Sequence, residues 1–202
     1  MARKSQSSTL ENNMNGNKNV SENGNSGKTK TDSKQTLDGL FEKVLKDAYS
    51  CEKLLVDALS EMAKASYSEE LQDAFKEHQE ETQRHAERIE KVFDRLRIDR
   101  SQEESCKVVE TLVEVSKKIT DEYEKGPVRD SALIISAQKV EHFEIALYGS
   151  LCELADVLGH HKVLDILERT LEEEKMADEH LTDIAKEVND EACELSGELQ
   201  ES

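Results

Sequence analysis

The stretch VRDSALIISAQKVEHFEIALYGSLCELADV, residues 128–157, decides the fold class. Apolar and small residues recur along it at steps of three and four, which is the period of a helix with one buried face. Pro127 stands directly before it, where a first helical turn tolerates proline, and Gly159 stands just after its end. Strands usually have only about five to six residues. The sequence therefore predicts one long helix from about 128 to 157.

The sequence on either side of this helix repeats the same period. Three further long amphipathic segments and one shorter segment stand out, and each begins or ends at a plausible helix signal. They run from about 36 to 65, from Ser66 or Ser68 to about Leu96, from Ser101 to about 124, and from about 161 to 187. Four long helices and a short one predict an all-α fold, a four-helix bundle with a short additional helix in the crossover.

Composition agrees with a helical protein and narrows its partners. The 202 residues include 27 Lys and Arg against 45 Asp and Glu, a formal net charge of −18. This acidity argues against nucleic acid and against anionic membranes as partners, because both bind clustered basic residues. A single proline and eight glycines provide too few turns for an all-β fold. No segment approaches the roughly 18 to 20 apolar residues that cross a bilayer.

The two ends of the chain differ from its middle. Residues 1–35 are rich in Asn and Ser and contain six basic and three acidic residues. Such a segment buries too little apolar surface to order itself, so we expect a disordered basic leader. A solubilising role is its simplest explanation, and the alternatives are weak contact with nucleic acid and contact of the leader with its own acidic domain. Residues 36–190 form the predicted bundle, and residues 191–202 are expected to be a frayed tail.

The cysteines and the N-terminus indicate a cytoplasmic protein. Cys51, Cys106, Cys152 and Cys193 lie dozens of residues apart without a CxxC pair. Scattered thiols of this kind are expected to be reduced, and they favour neither a disulfide framework nor a thiolate zinc site. The first ten residues carry positive charge, but no apolar segment of a secretory signal follows them.

Polar residues interrupt the buried stripe of every long helix near its middle. In chain order, these residues are Glu52 in the first helix; His78, Glu81 and His85 in the second; Glu141, Glu144 and Tyr148 in the helix at 128–157; and Glu174 and Asp178 in the last. Taken singly, each has a simpler explanation, such as a rim carboxylate, a hydrogen-bonded core histidine or a packed tyrosine. Acids in all four helices together favour a shared site.

A metal pair explains these inward acids better than any other compensation. A buried ionised carboxylate costs several kcal/mol unless a partner neutralises it, and we find no basic residue at the matching inward positions. Carboxylate oxygens with one or two imidazole nitrogens and no thiolate suit iron, with manganese as the alternative ion. The remaining histidines, His142, His160, His161 and His180, are expected at the surface. In the run Glu172, Glu173, Glu174 only the last has the inward phase.

Four stretches resemble one known family. TLDGLFEKVLKDAYSCEKLL (36–55), ELQDAFKEHQEETQRHAERIEKVF (70–93), VRDSALIISAQKVEHFEIALYGSL (128–151) and TLEEEKMADEHL (170–181) are similar to the YciE/YciF-type ferritin-like proteins of bacteria. The resemblance covers about 36 to 187. It implies a ferritin-like, rubrerythrin-related fold, a dimer, a centre of two iron ions, and a ferroxidase or stress-response role.

Carried over residue by residue, the resemblance implies a particular ligand set. It points to Glu52, to Glu81 with His85, to Glu141 with Glu144, and to Glu174, with His78 and Asp178 as additional candidates. The Glu-x-x-His spacing typical of ferritin-like sites is absent, so we expect a carboxylate-rich centre.

This ligand set defines an expected reaction and its alternatives. We expect Glu81 and Glu144 to bridge two Fe(II) ions about 3.5 to 4 Å apart, which O2 or H2O2 oxidises. Tyr148 is a candidate electron donor or hydrogen-bond partner. The alternatives are a non-catalytic dimeric bundle with a structural or vestigial metal site, and a storage cage of many subunits.

Overall fold

The computed structural model describes residues 35–100 and 105–201. These residues form five helices, which are α1 (Leu37–Ala65), α2 (Glu69–Leu96), α3 (Lys107–Glu122), α4 (Pro127–Val157) and α5 (His161–Glu201). The described ranges contain no strand, and the predicted all-α fold is confirmed. None of the helices in the described part of the chain combines the length and the hydropathy that a membrane span requires.

The helices pair as two hairpins that close into a bundle. α1 packs against α2 and α4 packs against α5, each pair being joined by a short turn. α2 also lies against α5, and α1 lies against α4. α3 contacts α1 and α4, and it forms part of the long connection between the hairpins. The predicted four-helix bundle with a short helix in its crossover is therefore the observed architecture.

The sequence left open whether Ser66 or Ser68 begins α2, and the structure gives the two serines different roles. Ser68 caps α2, and its hydroxyl oxygen lies 3.5 Å from the amide nitrogen of Leu71. Ser66 ends α1 instead, and its hydroxyl donates to the carbonyl oxygen of Met62 at 2.8 Å. The turn between the hairpin helices is therefore only a few residues long.

Asp130, in the first turn of α4, holds that turn in place. Its side chain is fully buried. One carboxylate oxygen accepts the backbone N–H of Tyr67 at 2.8 Å, and the other accepts that of Ser68 at 2.7 Å. These two charge-assisted bonds tie the α1–α2 hairpin to the start of α4.

The helix ends agree with the sequence for three of the long helices and differ elsewhere. α5 continues to Glu201, although we predicted its end near 187. α3 begins at Lys107, while residues 101–104, where we placed its start, lie outside the described residues. The predicted leader falls almost entirely on residues 1–34, which also lie outside them.

The apolar core is split by a polar layer. A cluster at one end of the bundle includes Met62, Leu71, Phe75, Leu133 and Ile184. A cluster at the other end includes Phe41, Leu45, Phe93, Leu151 and Leu167. Along each long helix, the buried residues between these clusters include charged ones: Glu52 on α1, His78 and His85 on α2, Glu141 and Glu144 on α4, and Glu174 on α5. The end clusters therefore fix four rigid helices around a charged middle.

Candidate metal centre

The charged layer contains four carboxylates and two imidazoles at the centre of the bundle. Glu52 and Glu174 are 0% exposed, Glu141 and Glu144 are each 1% exposed, and His78 and His85 are also buried. Every long helix contributes at least one of these six residues. The inward phase that the sequence predicted for them is therefore observed.

Two groups of potential ligands can be separated within the layer. His78, Glu141, Glu144 and Glu174 offer ligand atoms that all lie within 4.8 Å of one another. Glu52, His85 and Glu174 offer a second such set. Glu174 belongs to both groups and is the one residue that they share.

The contacts inside the groups have the spacing of ligands around a common ion. Nδ1 of His85 lies 2.9 Å from Oε1 of Glu174, and Nε2 of His78 lies 3.4 Å from Oε1 of Glu141. Two ligands bound at about 2.1 Å and at right angles are separated by about 3 Å. The His85 contact lacks the alignment of a hydrogen bond, since Nδ1 of His85 has no hydrogen-bond partner.

Several buried ligand atoms in the layer lack a hydrogen-bond partner. They are Oε2 of Glu52, Nδ1 of His85, Oε2 of Glu141, Oε1 of Glu144 and both oxygens of Glu174. Buried polar atoms are almost always hydrogen-bonded in folded proteins, because leaving one unpaired costs about 1 to 3 kcal/mol. The unpaired atoms belong to two groups that share one carboxylate, so the residues present fit a pair of metal ions.

The pKa values of the layer reflect this lack of partners. Burial raises the pKa of Glu52 to about 8, and it also raises the pKa values of Glu141 and Glu144. Burial alone would lower the pKa of His78, but the interactions with Glu141, Glu81 and Glu174 together outweigh burial and leave that pKa well above its usual value. For His85, the interactions with Glu174, Glu52 and Glu173 together outweigh burial and raise the pKa. Without an ion, the layer therefore holds protons in place of metal charge.

A second set of residues orients His85. Nε2 of His85 lies 2.8 Å from Oε2 of Glu173, which leaves Nδ1 directed into the layer. Arg88 donates to Oε1 of Glu173 at 2.9 Å and to the Thr170 hydroxyl at 3.1 Å. Although partial burial alone raises it, hydrogen bonds from Arg88 and His85 hold the pKa of Glu173 at about 2. Carboxylate partners of this kind fix the tautomer and direction of a metal-binding histidine.

Sequence reasoning missed this second set. We expected Glu173 to be solvated, and we expected no basic residue at an inward position, whereas Arg88 is buried. Arg88 lies three residues after His85, on the same face of α2, and this spacing was the available signal. Its partner is Glu173, so it does not neutralise the four central carboxylates.

Tyr148, Glu81 and Asp178, the other predicted site residues, lie outside the two ligand groups. The hydroxyl of Tyr148 is fully buried and donates to Oε1 of Glu52. Glu81 belongs to neither ligand group, and its Oε2 lies 3.5 Å from Nδ1 of His78 near the surface. Asp178 also belongs to neither, although its Oδ1 is buried without a hydrogen-bond partner. We expected Glu81 and Glu144 to be shared between two ions, whereas Glu174 is the residue that occurs in both ligand groups.

A cleft connects the layer with the surface. It has a volume of about 260 Å³, and its wall includes His78 and Glu141 together with Glu77, Glu81 and His180. His142, His161 and His180 are exposed as expected, while His160 is half-buried and stacks on Phe41. The side of the layer that contains His78 is therefore the side reached from solvent.

Comparison with known proteins agrees with this architecture. A family model described as "Domain of unknown function (DUF892)" matches residues 36–194. Protein YciF of Escherichia coli strain K12 is 45% identical over 154 residues, which make up 75% of this chain and 91% of YciF. The crystal structure of the E. coli stress protein YciF has a TM-score of 0.73 at 42% identity, covering 77% of this chain and 98% of that one. YcfI of Rhodopseudomonas palustris has a TM-score of 0.67 at 34% identity, covering 73% of this chain and 94% of YcfI.

Proposed function

This chain belongs to the DUF892 family, and from that premise and the geometry of the charged layer we propose that it binds two iron ions and oxidises Fe(II) with O2 or hydrogen peroxide. The E. coli relative YciF is described as a stress protein. Removal of Fe(II) and peroxide together is a chemistry that fits such a role, because the pair otherwise generates damaging radicals.

The observation that carries the proposal is the shared carboxylate of Glu174. Both of its oxygens are buried without a hydrogen-bond partner, and each ligand group contains it. A carboxylate has two oxygens and can therefore contact two ions at once. Four carboxylates with two histidines and no thiolate in the groups suit iron, and manganese is the alternative ion.

The residues of the layer supply distinct parts of the chemistry. When bound, two Fe(II) ions would supply one electron each; H2O2 and two protons would then become two water molecules, and the two ions would become Fe(III). Glu174 holds the two sites together, and the Glu173–Arg88 pair keeps Nδ1 of His85 directed at one of them. The buried carboxyl groups release their protons when ions bind, because metal ligands must be deprotonated.

Tyr148 and the cleft complete this arrangement. The Tyr148 hydroxyl holds one oxygen of Glu52, which leaves the other oxygen free for the layer. The phenol is also an oxidisable ring close to His85, with 6.4 Å between the ring centroids. Glu77 and Glu81 in the cleft wall attract divalent cations from solution toward His78.

Aerobic oxidation of Fe(II) by the metal-free protein tests the proposal. We expect two Fe(II) per chain to bind under anaerobic conditions, and oxidation by O2 or H2O2 to be faster than in buffer. Glu174→Gln should lose the binding of both ions, since the amide is neutral and offers one ligand oxygen in place of two. Glu87→Gln is the matched control, because Glu87 is an exposed glutamate of α2. This variant should behave as wild type.

The same experiment separates the two functions that the sequence left open. Two bound ions without any acceleration by either oxidant would refute the ferroxidase activity and leave a structural metal site. Failure to bind two ions would refute the centre itself.

The cellular setting is also part of the proposal. All four cysteines are free thiols in the structure. Free thiols are typical of a reducing compartment, and we therefore place the protein in the cytoplasm. Fractionation of cells that produce the full chain, with a periplasmic and a cytoplasmic marker protein, tests this placement.

A further inference from the structure

Two cysteines that are far apart in the sequence meet beside the charged layer. Cys51 lies on α1, directly before Glu52, and Cys106 lies at the residue that precedes α3. Both are buried in the same apolar cluster, together with Leu55, Val109 and other residues of α1, α3 and α4. Their thiols are hydrogen-bonded to each other. The metal chemistry proposed above uses neither of them.

The surroundings of Cys106 favour a reactive sulfur. The Cys51 thiol hydrogen-bonds to it, and Cys106 is the N-cap residue of α3, beside the backbone N–H groups of Val108 and Val109. These interactions lower the pKa of Cys106 to about 6, although burial opposes them. Helix N-termini and a donor thiol are the features that activate cysteines in oxidoreductases. Burial is also incomplete, since 9% of Cys106 remains exposed to small reactants.

We propose that Cys51 and Cys106 form a dithiol–disulfide site that reduces hydroperoxides. The Cys106 thiolate attacks the O–O bond, so that an S–O bond forms, the O–O bond breaks and the released alkoxide or hydroxide takes up a proton. The Cys51 thiol then attacks the sulfenic sulfur, an S–S bond forms, and hydroxide leaves and becomes water with the thiol proton. Two thiols lose two electrons, and the hydroperoxide becomes an alcohol, or water, plus water.

The disulfide would join the crossover helix to the bundle. A bond between Cys51 and Cys106 connects the start of α3 with the turn of α1 that also bears Glu52. It closes a long loop of the chain, and such closure stabilises a fold chiefly by restricting the unfolded state. Oxidation should therefore raise the thermal midpoint, and dithiothreitol should reverse the increase. This inference does not depend on the proposed metal centre.

Peroxide treatment of the full chain with a chelator present tests the inference apart from any metal. The Cys193→Ser background removes the exposed thiol, and buried Cys152 serves as the internal control. Burial raises the pKa of Cys152 to about 11. One equivalent of H2O2 should link Cys51 to Cys106, as identified by mass spectrometry of the digested protein. Cys106 should react at least about tenfold faster than Cys152, because far more of it is thiolate at neutral pH.

Two variants identify the order of the steps. In Cys51→Ser, the sulfenic acid on Cys106 has no resolving thiol, so dimedone should trap it. In Cys106→Ser, peroxide should leave Cys51 and Cys152 unmodified. Cys51→Ala repeats the first variant without a buried hydroxyl, and circular dichroism checks that each variant is folded. Absence of the Cys51–Cys106 link, or equal reaction of Cys106 and Cys152, would overturn the proposal.

Discussion

Replacement of Glu52 by glutamine tests the electrostatic state of the metal-free layer. Glu52 is fully buried, and burial raises its pKa to about 8 from an ordinary value of 4.5. Between pH 4.5 and about pH 8, Glu52 keeps its proton in the folded protein but releases it in the unfolded chain. The free energy of unfolding of the metal-free protein must therefore fall as the pH rises. Glutamine keeps the shape and the oxygen that accepts from Tyr148, but it cannot ionise.

The magnitude follows from the two pKa values. Each pH interval of one corresponds to about 1.4 kcal/mol. The raised pKa of Glu52 thus lowers the free energy of unfolding by up to about 4 kcal/mol at pH 8 and by less than about 1 kcal/mol at pH 5. Glu52→Gln removes this cost, so the metal-free variant should be more stable than wild type by about 1 to 4 kcal/mol at pH 8 and nearly equal to it at pH 5.

The histidines act in the same direction but remain in both proteins. The pKa values of His78 and His85 are raised in the folded state. A histidine of this kind contributes stability below its usual pKa, and that stability is lost as the pH rises through the folded value. Metal-free Glu52→Gln should therefore still lose stability between pH 5 and pH 8, only by less than wild type.

Urea unfolding after removal of metal by a chelator measures this difference. Circular dichroism at pH 5, 6.5 and 8 should be compared for wild type, Glu52→Gln and the exposed control Glu87→Gln. Saturating Fe(II) under anaerobic conditions should reverse the order, because the wild-type layer gains more binding energy than the variant. If metal-free Glu52→Gln is equally stable or less stable than wild type at pH 8, the reasoning is refuted. The carboxyl group of Glu52 would then not be the buried, uncompensated acid described above.

Two substitutions and one measurement of the oligomeric state test other parts of the structure. Arg88→Met removes the partner that holds Glu173 against His85, and titration against a competing chelator should show metal affinity about 10- to 100-fold lower, with an unchanged affinity arguing against this positioning. Asp130→Ala removes both bonds to the α1–α2 turn and should lower the urea-derived free energy of unfolding by about 2 to 4 kcal/mol, whereas a change below about 0.5 kcal/mol would contradict the structural role of Asp130. We also predict a homodimer, which sedimentation equilibrium of the full chain checks, and a monomer or a cage of many subunits would each contradict it.

The helices and the inward acids follow from local patterns in the sequence. The three-and-four spacing along 128–157 predicts α4 almost to the residue, and the same period places Glu52 and Glu174 on buried faces. This works because a buried helix face is set by the chain over a few turns. The layer of charges between two apolar clusters is a consequence of four such faces meeting at one height.

The features that the sequence did not predict depend on contacts between distant segments. Glu173 lies beside the predicted inward position, and only the approach of α2 with Arg88 shows that it is bound. The two thiols of Cys51 and Cys106 likewise become a pair only because α3 packs on α1. A helical period states which way a side chain points, but it does not state which helix is opposite.

The position of Glu174 also determines how metal binding and folding are linked. The ligand group with His85 and Glu52 takes its other residues from the α1–α2 hairpin, while the group with Glu141 and Glu144 takes most of its residues from the α4–α5 hairpin. Neither hairpin alone contains a complete pair of sites, because Glu174 must reach both groups. In the proposed metal centre, ions would therefore bind tightly only after the hairpins have docked, and the binding energy would stabilise that docking. Since the same layer holds protons when metal is absent, both metal affinity and the stability gained from metal should increase as the pH rises from 5 to 8.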